Sequence, residues 1–367
     1  MGYVQVWRLT TFASITLLLA WLAPAAAADE ANWELDQATC SREPCARQAQ
    51  PRPPRCPWYF QSEAVVLRRD VYGSAGAAAL GASGPIVLST HDLDMPFKAG
   101  ARFLAGHTFG DSPFQVEFSY FAVESWDSSA EVRDTSSNAL GGQGNLFSPF
   151  TDFGNPAVDG VDYNNLVSIR ETSTLEGGEL NLLRELPVPP GRLTAALLIG
   201  ARQLTIREQF NYSSQAAVPL PLGASNWVIT RTRNELWGAQ IGGLFRCYIE
   251  DRWWLDLSIK GAIFNNAALQ QSWYQNIDSG GATHDYYHER SGCTTAYLGD
   301  LALTLVYRWS PWLTTRIGYQ SMWVEGLALA SENFHPPLSI LTLGPGQLVN
   351  TGKTVYHGIH AGVEFTW

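Results

Sequence analysis

From residue 58 onward, apolar and polar residues alternate in blocks, as a β-strand with two unlike faces requires. Trp253, Leu255, Leu257, Ile259, Gly261 and Ile263 are interleaved with Trp254, Asp256, Ser258, Lys260 and Ala262. Tyr297 to Trp309 alternates in the same way, and the closing segment sets Val355, Ile359, Val363 and Phe365 against Tyr356, His360 and Glu364. Shorter versions occur at Phe114–Tyr120, Leu193–Ile199, Trp237–Phe245 and Leu313–Tyr319. Very short turns at Gly110–Pro113, Pro187–Gly191, Glu250–Asp251 and Ser310–Pro311 trade places with long connections rich in Gly, Ser and Asn near 70–100, 125–160, 210–225, 269–292 and 328–350. The pattern predicts ten strands, at 58–69, 101–110, 114–124, 162–186, 192–209, 226–249, 252–268, 293–309, 311–327 and 351–367.

An even number of antiparallel strands, short turns at one end, long loops at the other and an apolar outer face together predict a transmembrane β-barrel of about 10 strands (10–12). A β-sandwich also alternates. Five loops beyond ~12–15 residues, all at one end, are foreign to a compact sandwich domain. Tryptophan placement points the same way. Trp58, Trp253, Trp309, Trp312 and Trp367 fall at the short-turn ends of the strands, and Trp227 and Trp323 near the long-loop ends, as aromatic girdles at two membrane interfaces would.

Composition narrows the classes further. The chain has 367 residues, 46% hydrophobic, 12% aromatic and only 16% charged, which excludes a disordered protein. A mean hydropathy of −0.09 excludes a bundle of membrane-spanning helices. The net charge of −10 gives no electrostatic reason to bind nucleic acid.

The amino terminus has the order of a secretory signal peptide: Arg8, an apolar Leu9–Leu22 stretch, Pro24, then small residues Ala25–Ala28 before Asp29. Residues 1–28 are therefore expected to be removed on export. Residues 29–57, with Pro44, Pro51, Pro53, Pro54 and Pro57, read as a periplasmic linker ahead of a barrel domain at 58–367. The linker holds Cys40, Cys45 and Cys56, of which two can pair and one is left over. They show no metal-ligand spacing, and no metal or cofactor is expected anywhere in the chain. Cys247 and Cys293, placed near opposite ends of their strands, are too far apart to bridge.

Several stretches carry a resemblance: Asn145–Phe150, Val161–Tyr163 through Gly177–Arg184, Asn234–Gly242, Lys260–Asn266 and the closing strand. Over about residues 56–367 the chain resembles the Putative beta-barrel porin family seven, typical of planctomycete-type bacteria. The resemblance implies an outer-membrane barrel with a porin-like label. That label follows the fold and does not fix the function. Trp367, ending an alternating strand, resembles the recognition signal read by outer-membrane barrel assembly machinery. The expected partners are thus that machinery and outer-membrane lipid.

On the predicted phase, Arg202, Gln240, Arg246, Asp256, Lys260, Asp300, Arg308, Arg316, Gln320 and Glu364 face the lumen. Two readings follow. In a small barrel these charges pair and plug the interior; alternatively, Arg202, Arg246, Arg308 and Arg316 line a narrow anion-favouring channel. An outer-membrane enzyme, protease- or lipase-like, is a further alternative. It would use His284, Asp285, His288 and Glu289 in the fourth long loop, or His91, Asp92 and Asp94 in the first. The chain lacks a Gly-x-Ser-x-Gly elbow and a Walker-type loop, and His357 and His360 fall on opposite faces of the last strand, so no catalytic residue is assigned. Loop-mediated adhesion or ligand binding is the remaining alternative.

Overall fold

The computed structural model describes residues 58–110, 112–134, 144–158, 160–189, 191–216, 224–278, 280–334 and 347–367. The expected signal peptide and the linker with Cys40, Cys45 and Cys56 lie outside the described residues. Among the described residues there are thirteen strands: β1 (Trp58–Tyr72), β2 (Gly76–Leu80), β3 (Ile86–Ser89), β4 (Lys98–Thr108), β5 (Phe114–Arg133), β6 (Leu146–Phe147), β7 (Asn164–Glu185), β8 (Leu193–Ala216), β9 (Ser225–Tyr248), β10 (Trp253–Ile277), β11 (Thr283–Ser310), β12 (Leu313–Leu327) and β13 (Gly352–Thr366).

Ten of them close a ring, in the order β1, β4, β5, β7, β8, β9, β10, β11, β12, β13 and back to β1, every pairing antiparallel. These are the ten strands expected from the alternation. The first and last strands seal the ring: Trp58 and Trp367 exchange backbone hydrogen bonds at 3.1 and 3.0 Å, continuing the ladder from Tyr59 opposite Thr366. The short strands β2, β3 and β6 lie in the first two long connections and extend the sheet beside β7.

The outward faces are apolar over a limited height. On β10 the outward set runs from Trp253 through Leu255, Leu257 and Ile259 to Ile263, while Trp254, Ala262 and Phe264 are buried. Exposed Trp58, Trp253, Trp309, Trp312 and Trp367 ring the short-turn end, and exposed Trp237, Tyr297 and Trp323 mark the upper limit of the band. Twelve residues separate Trp253 from Asn265, the partner of Trp237. At ~3.4 Å per residue and a tilt of ~40°, that is about 31 Å along the barrel axis, matching a hydrocarbon core.

Above this band six strands, β5 and β7–β11, continue, and here the structure departs from expectation. Residues 269–292 were expected as a long loop. They are instead a hairpin, with β10 running to Ile277 and β11 starting at Thr283. Similarly, β5 and β8 extend into segments expected to be loop. Above the band the outer face meets water and no longer has to be apolar. The covered inner face carries polar residues such as Gln270 and Ser272, so the apolar-out contrast that marks a spanning strand disappears there. Trp227, expected near the upper interface, lies on this extension ten residues beyond Trp237. Cys293 is mid-strand on β11, opposite Ala267, rather than at a strand end. Cys247 and Cys293 are both free thiols.

Candidate functional site: a filled lumen

The inward faces build three layers. The lowest is ionic. Arg246 clamps Asp256 with two hydrogen bonds, at 2.7 and 3.1 Å. Arg316 reaches Glu364 at 3.0 Å, Glu63 at 3.4 Å and Asp256 at 3.7 Å. Arg102 bonds Glu63 at 3.2 Å and also the side chain of Gln320. Across the lumen, Arg202 meets Asp300 at 3.0 Å and Glu179 at 3.4 Å. Glu179 also accepts from Lys260 at 2.8 Å and from Gln240 at 3.0 Å. Tyr59 donates to Glu117 at 2.7 Å, and its ring lies where a side chain on Gly106, its cross-strand partner, would otherwise stand. All ten ring strands contribute to this layer. Ionised groups in so narrow a space need such partners, because an unpaired buried charge is costly.

The second layer is apolar. Leu67, Trp126, Leu204, Leu236, Phe264 and Tyr356 are among its buried members, joined by Leu327 and Leu329 from the segment after β12. That segment turns into the barrel and is held there by side chains of the wall. Asn234 donates to the Ala328 carbonyl at 2.9 Å and accepts from the Ala328 N–H at 2.8 Å. Asn266 donates to the Gly326 carbonyl at 2.9 Å, and Glu208 accepts from the Ala330 N–H at 2.9 Å. Glu208 and Glu171 also pair with Arg69, and none of the three side chains is more than 3% exposed.

The third layer closes the mouth with rings. Phe150, from the β6–β7 connection, packs against Tyr212, Tyr274 and Phe334 at centroid distances of 5.3, 5.5 and 5.6 Å. Phe334 in turn meets Phe210 at 4.9 Å. Asp162 ties the Phe150 segment down by accepting from Ser148 N–H and Thr151 Oγ1, both at 2.9 Å.

The profile described as Putative beta barrel porin-7 (BBP7) matches residues 65–367. The chain belongs to this family. No curated protein matches the BBP7 chain. Among solved structures, the outer membrane protease OmpT from Escherichia coli is similar at 10% identity and a TM-score of 0.43, over 86% of this chain and 97% of that one. The CymD monoaromatic hydrocarbon channel gives 9% and 0.31, over 85% and 89%. A major outer membrane protein from Thermus thermophilus gives 9% and 0.26, over 84% and 99%. At these scores neither a protease nor a channel activity carries over to the BBP7 barrel.

The residues singled out from sequence fall as follows. Arg202, Gln240, Arg246, Asp256, Lys260, Asp300, Arg316, Gln320 and Glu364 all enter the ionic layer described above. Arg308 instead sits over the Trp254 ring, 5.0 Å from its centroid, as Arg246 does at the same distance. Of the four arginines expected to line an anion path, Arg202, Arg246 and Arg316 are neutralised by carboxylates. Glu63, Arg102, Glu117 and Glu179 were not singled out, nor was the Arg69–Glu171–Glu208 cluster. Their signal was available in the inward phase of β1, β4, β5, β7 and β8.

The histidine candidates separate. Because 283–292 is strand and not loop, His284 and His288 occupy one face of β11 and Asp285 and Glu289 the other. His284 is 3.4 Å from Asp278 instead. Burial lowers the His288 pKa, and the charge of nearby Arg290 adds to this. In the first connection, Asp92 caps the turn at Ser89, and Asp94 takes the guanidinium of Arg68 at 3.0 Å. His357 lies on the outer wall between Tyr319 at 2.7 Å and Asp70 at 2.9 Å, whereas His360 faces inward, 3.5 Å from Glu63. No cluster of three or more metal-ligating side chains occurs among the described residues.

Proposed function

We propose that this protein is a closed outer-membrane barrel with a structural and surface role. It is exported through residues 1–28, and its hairpins stand on the outside. The observation that carries this reading is the filled lumen: an ionic layer tied to all ten strands, an apolar layer above it, and a ring of aromatic side chains over the mouth. An ion crossing it would have to break several paired charges and displace the 326–334 segment in one passage. The divergence of His284 and His288 from Asp285 and Glu289 takes apart the acid–base pairs on which the enzyme reading was built.

The test is conductance of the chain from residue 29 onward, refolded in detergent and inserted in a planar bilayer. A heat-shifted gel band should first establish that the barrel is intact. A folded, silent barrel is the expected result. Steady unitary openings at low voltage would overturn the proposal and restore the channel reading.

A further inference from the structure

The hairpin extension carries a feature that the closed barrel leaves without a task. On the outer face of β9, β10 and β11, Ile229, Trp273 and Tyr287 stand side by side in one cross-strand row. Two residues further out, Trp227, Gln275 and Asp285 form the next row. Together they line a cleft of about 420 Å³. Trp227 is 52% exposed and Tyr287 53%. The planes are held in place. Arg231 lies over the Trp273 ring at 5.0 Å, Trp273 and Tyr287 meet at 5.1 Å, and Tyr287 donates to Glu289 at 2.8 Å. Gln275 donates to Asp285 at 2.8 Å, leaving the outer oxygens of that pair for a ligand.

The height of this cleft excludes lipid tails as its cover. Trp273 lies eight residues beyond Asn265, the level of Trp237. At ~3.4 Å per residue and ~40° of tilt, that is about 20 Å above the apolar band, past the headgroup zone. The cleft faces sideways, over the membrane surface, and not upward into bulk water. An exposed apolar patch of this kind marks a binding surface. Flat aromatic faces alternating with an amide, a carboxylate and a guanidinium match one chemistry well. A pyranose ring offers an apolar C–H face for stacking and a rim of hydroxyls for hydrogen bonds. In a leaflet of glycolipid, the groups beside the barrel at that height would be the sugar heads.

We propose that the Trp227–Trp273–Tyr287 cleft binds the oligosaccharide head of outer-leaflet glycolipid. The inference rests on the outward placement of the hairpins proposed above. It does not depend on whether the barrel conducts, so open channels would sink that reading and leave this one standing.

Calorimetric titration of the refolded protein tests it, with three probes: lipopolysaccharide bearing a complete core oligosaccharide, lipid A alone, and the released core oligosaccharide. The core-bearing lipid should bind at least roughly tenfold more tightly than lipid A, as two stacked aromatics would provide. Trp227→Ala combined with Trp273→Ala should abolish that preference, and so should Tyr287→Ala, each with the heat-shifted gel band intact. Tyr287→Ala serves as the second route should the double variant fail to fold. Equal binding of the two lipids, or a preference that survives both variants, overturns the proposal. Released oligosaccharide binding as tightly as the intact glycolipid would overturn the membrane-anchored source. A dimer that becomes monomeric in the variants would replace the glycan with a second copy of the chain.

Discussion

Replacing Arg202 with Met asks directly whether the lumen is dry. Arg202 is 3% exposed and holds Asp300 at 3.0 Å and Glu179 at 3.4 Å. Methionine keeps the length of the side chain and removes its charge. Glu179 would retain Lys260 at 2.8 Å and the amides of Gln240 and Asn181 at 3.0 and 3.1 Å. The loss therefore falls on Asp300, whose side chain is 19% exposed and which loses the guanidinium. Breaking a buried pair costs ~3–5 kcal/mol, and the partial exposure of Asp300 places the expectation at the lower end, about 3 kcal/mol. In a water-filled pore the same pair would contribute only ~0.2–1 kcal/mol. Urea unfolding of the refolded barrel in detergent, followed by tryptophan fluorescence, separates the two values. Adding Asp300→Asn removes the stranded charge and should recover at least half of the loss. A single variant that loses less than ~1 kcal/mol, or a double variant no better than the single one, would refute the reasoning. Water would then be hydrating Asp300, and the barrier to ion passage would have to lie in the upper layers.

Phe150→Ala and Phe334→Ala each remove one ring from the mouth, and each should lower unfolding stability by ~3–5 kcal/mol. Neither should open the barrel to ions, because the ionic layer lies beneath; single-channel openings in either variant would place the barrier in the aromatic cap. Asp278 accepts the backbone N–H groups of Ala282 and Gly280, both at 2.9 Å, at the tip of the β10–β11 hairpin. The hydrogen bond from Ala282 is the main reason its pKa lies below the ordinary 3.8, with His284 contributing in the same direction. The carboxylate thus stabilises the tip fully above about pH 4 and ceases to do so as pH falls through the lowered value. Hydrogen exchange should show the Ala282 amide losing protection below that pH, and an Asp278→Asn chain that loses it identically would exclude the carboxylate as the cause. For orientation, Ala282→Cys in a Cys293→Ser background should react in whole cells with a maleimide that cannot cross membranes, while Glu250→Cys in the β9–β10 turn should not. The opposite labelling pattern would invert the barrel.

Sequence alternation was a reliable guide wherever one sheet face meets lipid and the other the lumen. On β10 the contrast between Leu255, Leu257, Ile259 and Asp256, Ser258, Lys260 located both the strand and its faces. Where that physical asymmetry ends, legibility ends too. Residues 269–292 put Gln271, Gln275 and Glu289 on an outer face that meets water and polar Gln270 and Ser272 on the covered inner face, so apolar and polar positions no longer alternate and a long hairpin reads as a loop. Only the β-prone Trp273, Tyr274, Tyr286 and Tyr287 gave a local hint. The segments that fill the barrel were hidden for the converse reason. Ala77–Ala79 and Leu327–Ala330 are buried because the barrel mouth covers them, and nothing in so short an apolar run says that a distant wall will do so. The ionic layer was half legible. Phase alone places Arg202 and Asp300 on inward faces, but which acid meets which base depends on how far each strand is staggered against the next. Arg202 and Asp300 are 98 residues apart in sequence and on strands that do not pair, so their contact exists only once the ring has closed. A one-residue slip at the β1–β13 seam would turn one side of it, Glu63 on β1 or Glu364 on β13, toward lipid. The charge pairs near the seam thus help to fix its register, and that register brings the same charges together.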